Sequence, residues 1–184
     1  MTKLETATER TRAAILDAAA RVLGRYPDAA MADVADQAGV GRATLYRHFP
    51  TRESLLEGVA DAATSELIDA LDAANLEDLP LERAIARIIS VFLRTGGKYA
   101  ALMSQADHPQ VDPETKERVS QPVRGVIARG ISDGVLRADL PGDLLLEMFS
   151  ALMERVMWLT VAGTITPEAA VEAVVDVFLD GARL

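Results

Sequence analysis

The chain has no cysteine among its 184 residues. That excludes a disulfide framework and any thiolate metal site. It has two histidines, His48 and His108. Asp107, His108 and Asp112 cluster in a polar stretch whose simplest reading is solvation, so no metal and no cofactor is expected. Aromatic residues make up only 4% of the chain. Long apolar runs are absent as well. The densest stretch, 144–161, is broken by Glu147, Ser150, Glu154 and Arg155, short of the roughly 18 uninterrupted apolar residues of a membrane span. The first ten residues are polar and hold no signal-peptide core, so a cytoplasmic protein is expected. No glycine-rich phosphate loop, activated serine or paired-carboxylate pattern occurs, and Gly96-Gly97 lacks the flanks of a phosphate loop. An enzyme is therefore not expected. Positive charge is also in deficit, with a net charge of −9.

What is present is hydrophobic and helical. Hydrophobic residues account for 49%, enough for a substantial core. Period-two alternation is rare, whereas apolar residues recur at helical spacing, so the predicted fold class is all-α. The charge deficit is placed unevenly. Residues 1–58 carry eight basic and eight acidic side chains, so the whole excess of −9 lies in residues 59–184. A neutral N-terminal domain, 1–58, and an acidic C-terminal domain, 59–184, are expected, with a hinge at 74–80.

The head reads as short helices with clear stops. A first helix is predicted from about Thr8 to Leu23, with Thr6 or Thr8 as its cap and Ala14, Ile15, Ala18, Ala19, Val22 and Leu23 as its apolar stripe. A second covers about Ala30 to Ala38 and ends at Gly39, where the left-handed conformation carries no Cβ clash. A third covers about Arg42 to His48, anchored by Leu45 and stopped by Pro50. Thr51 can cap a fourth, with Glu53 in its first turn. A short helix, a glycine turn and a helix carrying Arg42, Thr44, Tyr46, Arg47 and His48 form a helix-turn-helix, which places one helix in the DNA major groove.

Val34-Ala35, Ala38-Gly39-Val40, Thr44-Leu45-Tyr46, His48-Phe49, Arg52 and Leu55, taken at their joint spacing, resemble the DNA-binding head of the tetracycline-repressor (TetR) family. The resemblance spans about residues 10–58. It implies a homodimeric transcriptional regulator, usually a repressor, that binds a palindromic double-stranded operator and is released by a small-molecule effector. It also implies phosphate contacts from Tyr46 and His48, and from Arg52, which stands where the family commonly has lysine. Thr44 can donate to a phosphate or touch a base. Arg42 and Arg47 can reach phosphates or a guanine edge, Ala43 can meet a thymine methyl, and Gln37 ends the second helix near the DNA backbone. Three positions depart from the family pattern. Ala30 and Ala32 lack the hydroxyl common at the start of the second helix, where backbone N–H groups can serve instead. Gly41 replaces a capping serine, and Arg25 with Pro27 alters the turn after the first helix.

Beyond the head, helices are predicted over about 81–94, with a break at Gly96-Gly97 and a shorter continuation over 99–104, then about 113–132, 142–162 and from Thr166 to Gly181. The last two are apolar around more than half their circumference and are expected to form the homodimer interface. Phe92, Tyr99, Met103, Met148, Leu152 and Trp158 are the expected walls of an effector pocket. Arg94, Glu154 and Arg155 would hold a ligand's polar end or pair across the dimer. The alternative reading is a helical protein-interaction module that does not bind DNA.

Overall fold

In the computed structural model the described residues are 3–103 and 113–182, with side chains described for 7–96 and 113–182. Their regular elements are all helical: α1 (Lys3–Arg25), α2 (Met31–Ala38), α3 (Arg42–His48), α4 (Arg52–Asp72), a single 3-10 turn (Leu76–Asp78), α5 (Leu81–Met103), α6 (Pro113–Ser132), α7 (Gly142–Val161) and α8 (Pro167–Ala182). The chain divides into two compact units, Met1–Ala63 with Gly97–Gln110, and Thr64–Gly96 with Val111–Leu184.

The first unit, the head, packs α1, α2, α3 and the start of α4 around Ile15, Ala19, Leu23, Val34, Leu45, Phe49 and Leu55. Small alanines in α1 and α2 let the two helices approach closely. Helix α1 begins earlier than expected, so Thr6 and Thr8 lie within it and not at its start. Its buried face takes in Leu16 and Ala20, while Ala14 is exposed. Gly58 sits where any Cβ would come within 2.7 Å of Phe49 Cε1, so only glycine lets α4 pass that ring. The Arg12 guanidinium covers the same ring at 5.0 Å. The first unit runs into α4 as far as Ala63, and Val59 packs into its core.

The second unit, the body, holds a larger aliphatic core that includes Leu71, Ile85, Ile88, Ile89, Ile127, Leu145, Phe149 and Phe178. Phe149 and Phe178 meet edge to face at 5.2 Å, joining α7 to α8. Gly134, at φ 69°, ends α6 as the sequence predicts, and the Thr166 hydroxyl caps α8 by accepting from the Ala169 N–H.

Two expectations fail here. Residues 74–80 are no hinge: they belong to the body, and Arg129 of α6 donates to the carbonyls of Leu76, Glu77 and Leu79 at 3.0, 2.6 and 2.9 Å. Asn75 turns the chain there at φ 49°, a left-handed conformation that asparagine tolerates. Nor does Gly96-Gly97 break a helix, because α5 runs through it. Gly96 is a packing glycine: a Cβ would meet Met157 Sδ at 2.8 Å.

Candidate nucleic-acid interface

The head's chemistry begins at the turn between α2 and α3. Gly39 adopts φ 67°, and its N–H reaches the carbonyls of Ala35 and Asp36. The Val40 N–H also bonds Ala35 O at 3.0 Å, so the turn is closed by its own backbone. Helix α3 then starts at Gly41 with no side-chain cap, in keeping with the missing serine.

Seven residues sort themselves on α3 by helical spacing. Leu45 is fully buried and fixes the helix to the core. Arg42, Ala43, Tyr46 and Arg47 occupy the opposite face, all exposed, in two rows at i and i+4. Thr44 and His48 form the half-buried flank, with His48 stacked at a tilt beside Phe49, ring centres 6.5 Å apart. Tyr46 is 49% exposed, far more than a packing tyrosine requires. Gln37, at the end of α2, is exposed too. Among the described residues, none of Gln37, Arg42, Tyr46 and Arg47 has a hydrogen-bond or ion-pair partner. Their donors are free for a ligand.

The N-terminus of α4 is built differently. Thr51 and Ser54 cap one another: the Ser54 N–H donates to Thr51 Oγ1 at 3.1 Å, and the Thr51 N–H donates to Ser54 Oγ at 3.2 Å. Glu53 beside them accepts from its own backbone N–H and from the Thr51 hydroxyl, which holds its carboxyl below the ordinary glutamate value. Arg52 is half-buried and turned inward. Its guanidinium donates to Ala29 O at 2.5 Å and to Pro27 O. The free cation expected at this position is thus committed to the turn before α2.

The start of α2 also differs from expectation. Asp33 accepts from the Ala30 N–H at 2.8 Å, half of a capping box. That N–H is therefore spent inside the protein, and a carboxylate stands at the helix start. Asp33 was visible in the sequence as an acidic residue three positions after the cap. Nothing in the sequence alone marked Pro27 and Ala29 as partners of Arg52, since they lie 25 and 23 residues away.

In the body, Phe92 and Leu152 are half-buried against the core, and Trp158 is half-buried on α7. Met148 is 50% exposed, so it does not wall an interior pocket of this chain. Arg94, Glu154 and Arg155 are likewise exposed. The side chains of Tyr99 and Met103, Ser104, and the Asp107, His108 and Asp112 cluster lie outside the described residues. Among the described residues no group of three His, Asp or Glu side chains could hold a metal ion, and no helix is long and apolar enough to cross a membrane.

A helix-turn-helix closed by a left-handed glycine, with a polar unpartnered face on its second helix, defines a DNA-binding head. Comparison with known proteins agrees. Residues 15–59 match the model of the bacterial regulatory proteins of the tetR family. The repressor LfrR of Mycolicibacterium smegmatis is 41% identical over 90 residues, 49% of this chain and 48% of that protein. The alignment thus spans about half of LfrR's length. The regulator NfxB of Pseudomonas aeruginosa is 25% identical over 160 residues, 85% of this chain and 86% of that one. The crystal structure of LfrR in complex with proflavine superposes with a TM-score of 0.78 at 28% identity, covering 95% of this chain and 98% of that one. Residues 15–59 are thus similar to the DNA-binding heads of tetR-family regulators, and the fold over 95% of this chain is similar to that of LfrR.

Proposed function

We propose that this protein is a repressor that reads a palindromic operator as a homodimer and is released by a small molecule bound in its body. In this reading the head binds DNA, and the body binds effector and partner. The observation that carries it is the α3 face of Arg42, Ala43, Tyr46 and Arg47, exposed and unpartnered over a fully buried Leu45. Phosphates bind such donors without sequence preference, and base edges add the selection. A bidentate Arg42–guanine pair would contribute about 1–3 kcal/mol of discrimination. Thr44, His48 and Gln37 flank that face and suit backbone contacts.

The last two helices support the dimer. Helix α7 exposes Leu144 and Met148, and α8 exposes Val177, at 45%, 50% and 60%. Ala151 extends the first stripe, and Ala169 and Ala173 the second, at helical spacing. Apolar stripes of this kind on an otherwise acidic body suit burial against a second copy. Two heads on a two-fold axis would then meet successive major grooves about 34 Å apart. Proflavine, held by LfrR, is a cation that an acidic body attracts. It is the first effector probe to use.

The test is a salt titration of binding to a duplex selected by the protein from a randomised library. Affinity should fall steeply with salt. Arg42→Ala and Tyr46→Ala should each weaken it about tenfold. Unchanged affinity in both would remove the assigned docking face, and a wild-type protein selecting no DNA would favour the protein-interaction module. Sedimentation of the wild type and of Met148→Glu tests the dimer at the same time. A wild-type monomer at micromolar concentration would contradict the assigned interface.

A further inference from the structure

We infer that Arg52 is a positioning residue that locks the helix-turn-helix into a closed loop, and that it is not a phosphate ligand. The inference rests on the DNA-binding reading above but concerns how the head is held. The chain leaves the turn at Pro27 and Ala29, forms α2, turns at Gly39, forms α3, and enters α4 at Arg52. One guanidinium then donates to the carbonyls of Ala29 and Pro27, at the point where that excursion began. Both ends of the recognition unit are therefore held by a single side chain.

The chemistry favours arginine at this position. A planar fork presents two parallel donors to two carbonyls, whereas a lysine ammonium is a point charge on a flexible stem. The backbone of Arg52 is itself fixed, because Thr51 and Ser54 cap one another around it. Asp33 fixes the other end by holding the Ala30 N–H. Closing a loop of this size costs chain entropy that a specific contact must offset, and hydrogen bonds from a charged donor are among the stronger ones available. A guanidinium with two N–H groups committed inward, and half-buried, is poorly placed to neutralise a phosphate. Its effect on DNA reaches the operator through the orientation of α3.

Arg52→Ala, Arg52→Lys and wild type would be compared in two arms. The first arm is amide exchange in the free protein, with no DNA. Exchange at Tyr26, Ala29, Asp33 and Val34 should accelerate roughly tenfold or more in both variants, while Trp158 fluorescence confirms that the body stays folded. Unchanged exchange at these amides would overturn the inference. The second arm is the salt dependence of binding to the selected duplex. A lost phosphate contact lowers the slope of log K against log salt by about 0.9. The positioning role instead leaves the slope unchanged, lowers affinity about tenfold, reduces discrimination against a base-swapped duplex, and is not rescued by lysine. A reduced slope with rescue by lysine would overturn it. Should the wild type select no DNA, the function proposed above fails, while the exchange arm still decides whether the lock exists.

Discussion

The head and the body expose opposite kinds of surface. The head shows arginine, tyrosine and glutamine without partners on a charge-balanced unit. The body shows leucine, methionine and valine on an acidic one. Each surface suits a different occupant. A polyanion is met by free donors that shed counterions, and a second protein surface is met by apolar area. The acidity of the body also keeps it from competing for DNA. Inside, the two units share a device. In each, one arginine gathers the carbonyls of a turn: Arg52 next to α2, and Arg129 next to the 3-10 turn. The two turns so held follow α1 and α4.

The comparison breaks most readily at the cores. Leu45→Ala in the head and Ile88→Ala in the body each remove a fully buried side chain. Each should cost about 2–5 kcal/mol. If the units are as separate as their cores, Leu45→Ala will speed amide exchange in α1 to α3 and leave the unfolding midpoint of Trp158 fluorescence in place. Ile88→Ala will lower that midpoint. A Leu45→Ala variant that lowers the Trp158 midpoint equally would make head and body one cooperative unit.

How far the sequence revealed this division depended on the length scale of each interaction. Helix α3 was legible to the residue, because Gly39, Gly41, Leu45 and Pro50 act locally and leave little freedom. Helix α1 was misjudged at its start, since a threonine suited to capping, whether Thr6 or Thr8, does not stop a helix that continues past it. Gly96-Gly97 was misread because glycine has two uses, as a breaker and as a place for close approach, and only Met157 across the body tells them apart. The same holds for Arg52 and Arg129. Their charge was visible, but their partners lie 23 to 53 residues away. A cation's sequence position says nothing about which carbonyl it will meet. The polar α3 face was legible because helical periodicity alone separates it from Leu45.

A smaller effect concerns the body's own arginine. Arg129→Ala removes three hydrogen bonds to the turn after α4. The carbonyls of Leu76, Glu77 and Leu79 can partly recover water, so the loss should be about 1–2 kcal/mol, below the sum of three charged bonds. It should lower the Trp158 midpoint. Arg129→Lys should restore only part of that loss, because one ammonium cannot span the same three carbonyls. Full restoration by lysine would mean that charge matters there and the fork does not, and the likeness to Arg52 would lapse.

The smallest effect separates the units by pH. Glu53 in the head and Asp139 in the body are both exposed, and both titrate below their ordinary values, for different reasons. Glu53 is lowered first by its own backbone N–H, then by the Thr51 hydroxyl. Asp139 is lowered first by hydrogen bonds from Arg137, at 2.7 and 2.6 Å, with the charge of that arginine adding to them. A carboxyl with a depressed folded pKa contributes stability that is present above its unfolded pKa, about 4 for either residue, and is lost as pH falls through the folded value. Each unit should therefore lose a small increment of stability below about pH 4. Carboxyl titrations followed by NMR distinguish the causes. Arg137→Ala should return Asp139 close to its ordinary value, since its main partner is a side chain. Thr51→Ala should raise Glu53 only part of the way, because the backbone donor remains. If Glu53 returned fully to its ordinary value, its carboxyl would be held by the threonine alone, and the contrast between a backbone-held head and a side-chain-held body would not extend to these two groups.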